Sequence, residues 1–365
     1  MSYVVWFDDY VEDRHHDVLG GKNCSLGEMT GAGMPVPPGF GLTTAAYAEL
    51  KKDETARSEI RALLHEVDLD DVSGLHEIAA KVRSRIEAIP MSPEAEQAII
   101  EGYEQLCERC NDGAVPVAVR SSATAEDLPD ASFAGLQDTF LWVTGTEDVV
   151  AHVRKCWSSV YTDRAIAYRH EMGHDHDLLL MSVGIQKMIR PKAAGVAFTL
   201  NPSDGDHSQI AIDSSWGFGE AVVSGEVTPD NFLVDKVMFE IVSRTISSKG
   251  MEYRLNDDGD GVVATEIPED RREVPSLTDD EVKAVARMAR RAERHYGSPQ
   301  DIEWAIDADL PDGENVVLLQ SRPETVWSRK KRRTVAKPGQ GFMDSIVSTL
   351  LHPAHSKAKQ STVDE

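Results

Sequence analysis

The chain reads as a mixed α+β fold of two main lobes, with a helical region inserted into the first. Three observations predict it. Short apolar stretches of strand length, at residues 3–7, 40–43, 115–119 and 140–143, are bounded by turn signals. Between the second and third lies an unbroken series of helical patterns, residues 44–110. Beyond residue 186, strands alternate with glycine-rich turns and end in a hairpin at 301–325. A chain of 365 residues can bury a sizeable core, and its length favours more than one lobe.

Composition narrows the function classes. Lys and Arg total 38 against 62 Asp and Glu, a net charge of −24 with a pI near 4.9. Such a field repels nucleic acid and anionic membranes, so any site for a phosphorylated ligand has to be a local basic pocket. No apolar run approaches the ~18 residues of a membrane span. The opening MSYVVWFDDY has no basic region before its apolar residues, which predicts a soluble, cytoplasmic protein. Four cysteines do not read as a disulfide framework. Cys107 and Cys110 form a CxxC inside a helical pattern; with no second pair nearby, a reduced structural role stands beside a metal or redox one.

In order, a strand at 3–7 leads into an acidic, His-containing loop up to residue 17. Gly20-Gly21-Lys22-Asn23 then forms a glycine turn before a helix at 25–30, with Lys22 at its entrance. A lysine there can meet a phosphate with the help of free N–H groups, or simply be solvated. The spacing is not that of a Walker A loop. Residues 33–39 end the helix and lead to a strand at 40–43. Helices follow at 44–52, 54–66 and 74–89, and from Ser92, an N-cap with Pro93 at the first helical position.

Residues 118–140, AVRSSATAEDLPDASFAGLQDTF, organise the rest. Arg120 offers a fork-shaped cation, Ser121, Ser122 and Thr139 offer hydroxyls, and the small residues of 132–135, ending at Gly135, let backbone N–H groups approach an anion. The same residues also fit a Ser/Thr-rich surface loop with one exposed arginine.

A long helical pattern at 147–168 follows the strand 140–143. It ends in a cluster containing His170, His174 and His176, either an i,i+4 metal pair or a solvated helix exit. The apolar strand 181–189 carries one amide, Gln186, and another strand spans 195–199. The strand 210–213 runs into a glycine-rich turn at 214–220, and a helix starts at Ala221. Residues 256–261 form a hairpin tip that lacks the glutamate of a calcium loop. Thr278 and Glu281 make a capping box for a helix through Tyr296, stopped by Gly297 and Pro299.

The last hairpin pairs 301–306 with 316–325 around a turn at 311–313. Period-two alternation puts Asp301 and Glu303 on one face, opposite Ile302, Trp304 and Ile306, while Gln320 and Arg322 share a face of the return strand. These oxygens suit Mg2+, and the guanidinium suits a transferring phosphoryl group. A polar strand face with a Glu303–Arg322 ion pair is the alternative. After Thr325 comes a basic run at 329–333 and a Ser/Lys/His-containing tail.

These motifs closely resemble the phosphoenolpyruvate synthase and pyruvate phosphate dikinase family, whose nucleotide-binding part has an ATP-grasp fold. The resemblance runs from about Trp6 to Trp327. It implies lobes at 1–185, with the helical insert at about 44–110, and 186–327, followed by a basic tail at 328–365. It implies ATP and Mg2+ as ligands: Lys22 and Arg120 on phosphate, Gly135 and Thr139 in the phosphate loop, and Gln186, Met188 and Ile189 at the base. It further implies Glu303 and Gln320 at metal and phosphate, and Arg322, with Arg120 and Lys22, in catalysis. The family's histidine domain, with its TSHA-like motif, and its acceptor barrel have no counterpart in these residues. The resemblance therefore implies the ATP-binding subunit of a split dikinase-type phosphotransferase, with a partner subunit bearing the phosphorylatable histidine. Phenylphosphate and 4-methylbenzyl phosphate synthases have that organisation, and their acceptors are a phenol or an aromatic alcohol. A pyruvate, water dikinase component, a non-catalytic ATP sensor and an ADP-forming ligase are the other readings.

Overall fold

The computed structural model describes residues 2–123, 138–172 and 179–327. Met1–Glu324 forms one compact unit and Thr325–Glu365 a second, whose described residues, 325–327, carry neither helix nor strand. Gly135, His174, His176 and the basic tail lie outside the described residues.

Two antiparallel sheets dominate the larger unit. The first has the order β1-β2-β5-β3-β4, built from β1 (Val4–Trp6), β2 (Gly39–Leu42), β3 (Val117–Ala123), β4 (Thr139–Val143) and β5 (Met181–Lys187). Residues 188–190 then cross to the second, whose members are β6 (Pro191–Phe198), β7 (Gln209–Trp216), β8 (Asp230–Asp235), β9 (Ile241–Thr245), β12 (Gln300–Asp307) and β13 (Val316–Pro323). Its order is β13-β12-β6-β7-β8-β9. A separate two-stranded arm pairs β10 (Met251–Leu255) with β11 (Val262–Glu266).

The helical insert is present as α2 (Thr44–Leu50), α3 (Glu54–His65), α4 (Val72–Glu87) and α5 (Pro93–Cys110). Ser92 caps α5 as expected, its hydroxyl accepting from the Ala95 N–H. The helices bury their apolar stripes with β2, β3 and β5 in one cluster around Phe40, Ile99, Leu106 and Trp157. Cys107 belongs to this core, and its Sγ accepts from the Val115 N–H. A second cluster, around Trp304, Ile302 and Phe232, lies between the second sheet and α10 (Asp279–Tyr296). Thr278 and Glu281 form the capping box of α10, and Gly297 closes it in the left-handed conformation.

Three expectations are corrected. The acidic stretch up to residue 17 is not a loop but the first part of α1 (Glu12–Gly31), which breaks only at Gly20 (φ 68°). The pattern at 147–168 is not one helix. It comprises α6 (Thr146–Ser158), a 3-10 turn (Ser159–Tyr161) and α7 (Asp163–Met172). Thr162 is extended and its Oγ1 accepts from the Ala165 N–H, so a new helix is capped where the old one would have continued. Finally, Ser214–Trp216 are strand residues of β7; the glycine turn is confined to 217–219, before α8 (Glu220–Val223).

Candidate functional site

Gly20 positions the first cation. Its positive φ ends the first part of α1 and starts a new helical turn against β3, so close that an added Cβ would lie 2.7 Å from Ser122 Oγ. The buried Asn23 locks this approach, donating to Ser182 Oγ at 2.9 Å and Leu19 O at 3.2 Å. Lys22, in the first turn after the break, thereby projects over β3, and its ammonium donates to Ser121 O at 3.4 Å.

One residue earlier on β3, Arg120 reaches from the first sheet to the second. Its guanidinium donates to Gln320 Oε1 at 2.9 Å and to Leu319 O at 3.0 Å, and lies 3.6 Å from Glu303 Oε2. The register explains this. Glu303 opposes Gln320 but Trp304 opposes Leu318, so Leu319 is an extra residue in β13, and a bulge there turns a backbone oxygen away from the ladder. Ile302, Trp304 and Ile306 are buried on the other face, as the alternation predicts.

Arg322 pairs with a different carboxylate from the one expected. Cross-strand register sets it opposite Asp301, with Nε 3.6 Å from Oδ2, while Glu303 is engaged by Arg120. Burial pushes the Asp301 carboxyl up to about 6 from its ordinary 3.8, with Arg322 pulling it down and Glu324 pushing it further up. Arg322 itself is 56% exposed, so its charge faces the solvent side of the hairpin.

Thr139 opposes Arg120 in the β3–β4 ladder and is exposed. Gln186 is buried in β5, its amide donating to Pro37 O at 3.2 Å. Met188 N–H donates to Pro116 O at 2.8 Å. Ile189 packs with Ala194, Ala305 and Val317 against Leu319, an apolar patch continuous with the bulge that meets Arg120.

A family model described as pyruvate phosphate dikinase, AMP/ATP-binding domain, matches residues 16–340. The chain belongs to that family. Its two sheets with inserted helices are the family's α+β, ATP-grasp-type fold. Curated relatives similar to this AMP/ATP-binding domain include a probable phosphoenolpyruvate synthase of Staphylothermus marinus, 43% identical over 92% of this chain and 43% of the relative. One from Methanocaldococcus jannaschii is 42% identical over 92% of this chain and 28% of the relative. The phosphoenolpyruvate synthase of Escherichia coli K12 is 42% identical over 89% and 42%. The chain thus spans between 28% and 43% of the length of these three relatives.

The residues of this AMP/ATP-binding domain fit an anionic ligand and a divalent cation. Arg120 Nε is buried without a partner among the described residues, an N–H still to be satisfied where phosphate oxygens would lie. Glu303 and Gln320 turn oxygens to one point, now shared by Arg120, and are the hard donors that Mg2+ takes. Among the described residues no group of three or more His, Cys, Asp or Glu is arranged around a metal, so phosphate oxygens would have to complete the shell.

Glu220 was not singled out by sequence reasoning. It opens α8, is exposed, and is close enough to Glu303 and Arg120 to feel both charges. Protein crowded around its carboxyl raises its pKa most, Glu303 and Glu226 raise it further, and Arg120 lowers it. The one available signal was its position just after Gly217-Phe218-Gly219, where backbone turns sharply beside β6.

Proposed function

We propose that the chain binds Mg·ATP in the cleft between the two sheets and passes a phosphoryl group to a histidine. That histidine would be on a partner subunit or on further sequence of a longer chain. The lobes 1–185 and 186–327 would be the two jaws, and AMP and phosphate the products. The observation that carries this reading is Arg120. It spans from β3 to the β12–β13 hairpin, touches both oxygen donors, and keeps a buried N–H free of any described partner.

Lys22 and Arg120 would hold the phosphates, the second as a bidentate clamp. The apolar patch at Ile189, beside Met188 and Gln186, would receive the base. A divalent cation held by Glu303 and Gln320 supplies charge neutralisation at the phosphates. Arg322, two residues along the same strand from Gln320, would stabilise charge on the group in transit. The β-phosphoryl would move to the histidine nitrogen, the γ-phosphate would leave with water, and AMP would be the remaining fragment.

Two acceptors are compatible with this chemistry. Pyruvate is suggested by the relatives, which are named phosphoenolpyruvate synthases. A phenol or aromatic alcohol is suggested by enzymes that keep the ATP-binding part on a chain of its own. The test is incubation with β-³²P-ATP and a protein carrying a TSHA-like histidine. Acid-labile label on that protein, together with AMP, supports the proposal, and discharge of the label by pyruvate or by an aryl alcohol selects the acceptor. ATP binding without AMP would favour a nucleotide sensor, and ADP as product a ligase.

A further inference from the structure

Trp142 has a conformation that the fold does not otherwise require. Val117 opposes Val143 and Val119 opposes Phe140, so β4 holds one residue more than β3 across that interval. The surplus is taken up by a bulge in which Trp142 has φ 60°. A bulky side chain is rarely found there, and such strain persists only where surrounding contacts hold it.

The bulge aims the indole at the other half of the molecule. Trp142 Nε1–H donates to Gly259 O at 2.9 Å, at the tip of the β10–β11 arm. Its ring meets Phe218 edge-on, 6.1 Å between centroids and 81° between planes. Both rings are buried.

The arm is fixed to the second sheet at its base. Phe218 N–H donates to Tyr253 O at 2.9 Å, and Gly217 (φ 71°) lies so close to that carbonyl that a Cβ would collide with it. Arg271 pairs with Glu252 at 2.9 Å and lies 4.2 Å over the Trp216 ring. At its tip, by contrast, the arm meets a residue of the first sheet.

We propose that Trp142 and the β10–β11 arm form a clasp that holds the two jaws closed over bound nucleotide, with Trp142 as a positioning residue. It rests on the nucleotide-binding reading above. The clasp joins the two sides of the site. Trp142 lies three residues beyond Thr139, which opposes Arg120, whereas Phe218 lies two residues before Glu220, which faces Glu303. A released clasp lets the cleft open and the nucleotide leave.

The test compares the native chain with Trp142→Asn, whose side chain tolerates positive φ but reaches neither Gly259 nor Phe218, and with Trp142→Phe, which keeps a ring and loses the N–H. Stopped-flow ATP release and amide hydrogen exchange of residues 251–266 are measured. The expected result is ATP release at least about tenfold faster in Trp142→Asn, with faster exchange at the arm tip and an unchanged melting temperature, because strain is relieved as contacts are lost. Trp142→Phe should fall between, and it serves alone if the Asn variant does not fold. Native release rates and native exchange in the variants would overturn the clasp. If the native chain itself binds no ATP, the nucleotide reading fails, and arm exchange in Trp142→Asn decides by itself whether the clasp exists.

Discussion

The Leu319 carbonyl accepts a hydrogen bond from Arg120 at 3.0 Å, joining two sheets that share no strand. That oxygen is available because a bulge makes Leu319 the odd residue of β13. Arg120 is thus held by a backbone oxygen and an amide oxygen while its Nε is unspent. Arg120→Lys keeps the charge but loses the fork, so it cannot satisfy Leu319, Gln320 and a phosphate at once. ATP affinity should fall at least tenfold by calorimetry, and transfer by ~10²–10³. A lysine variant with native affinity would show that Arg120 serves only to join the sheets.

Glu303 and Gln320 oppose each other in the ladder with Arg120 between their oxygens. Removing the charge with Glu303→Gln leaves the hydrogen-bonding shape and weakens the hold on a hard cation. The Mg2+ concentration that gives half-maximal ATP turnover should rise by about tenfold or more. An unaltered Mg2+ titration would place the cation on other groups, with Glu220 the first to examine.

Arg322 is bound to Asp301 by one long contact and is otherwise open to solvent, so little of the fold depends on it. Arg322→Ala should leave ATP binding within about tenfold of native while reducing transfer by ~10³, the loss expected when a charge-stabilising arginine is removed. Binding and transfer falling together would make it a ground-state ligand instead.

Much of this was legible because it is local. The two faces of the last hairpin follow from period-two alternation, and Ser92, Thr278, Glu281 and Gly297 announce their helix ends by side-chain chemistry alone. What was hidden depends on tertiary context. Arg322 was paired on paper with Glu303, but the choice between carboxylates is made by cross-strand register and by Arg120 arriving from another sheet. The bulges at Leu319 and Trp142 leave no trace in composition. The break at Thr162 was missed because helical spacing runs on through a 3-10 turn. Glu220 acquires its role only when α8 is packed against β6, which brings it to Glu303.

Gly20 illustrates how tightly the phosphate-facing lysine is mounted. Gly20→Ala demands positive φ from an L side chain and drives its Cβ into the Ser122 carbonyl and hydroxyl. Strain and overpacking together should cost ~3 kcal/mol in urea unfolding. Lys22 would also be displaced, so ATP affinity should drop along with stability. A loss below ~1 kcal/mol would mean that β3 yields to the added methyl group.

Lys249 and Asp230 are both fully buried, 2.5 Å apart, and hold the loop that enters the β10–β11 arm. Asp230 also accepts from Ser247 N–H at 3.0 Å, and from Ser276 N–H and Oγ–H at 2.8 Å each, so its carboxylate is saturated with donors. Lys249→Met removes the countercharge and keeps the apolar stem, leaving a buried carboxylate with neutral donors only. The variant should lose ~3–5 kcal/mol, the usual consequence of orphaning one member of a buried pair. Replacing both, with Asp230→Asn added, removes the orphaned charge and should recover part of that loss. Recovery in the double variant identifies the charge as the cause. A double variant no more stable than Lys249→Met would instead assign the loss to the ammonium's own hydrogen bonds, including the one to Ser247 O at 2.9 Å.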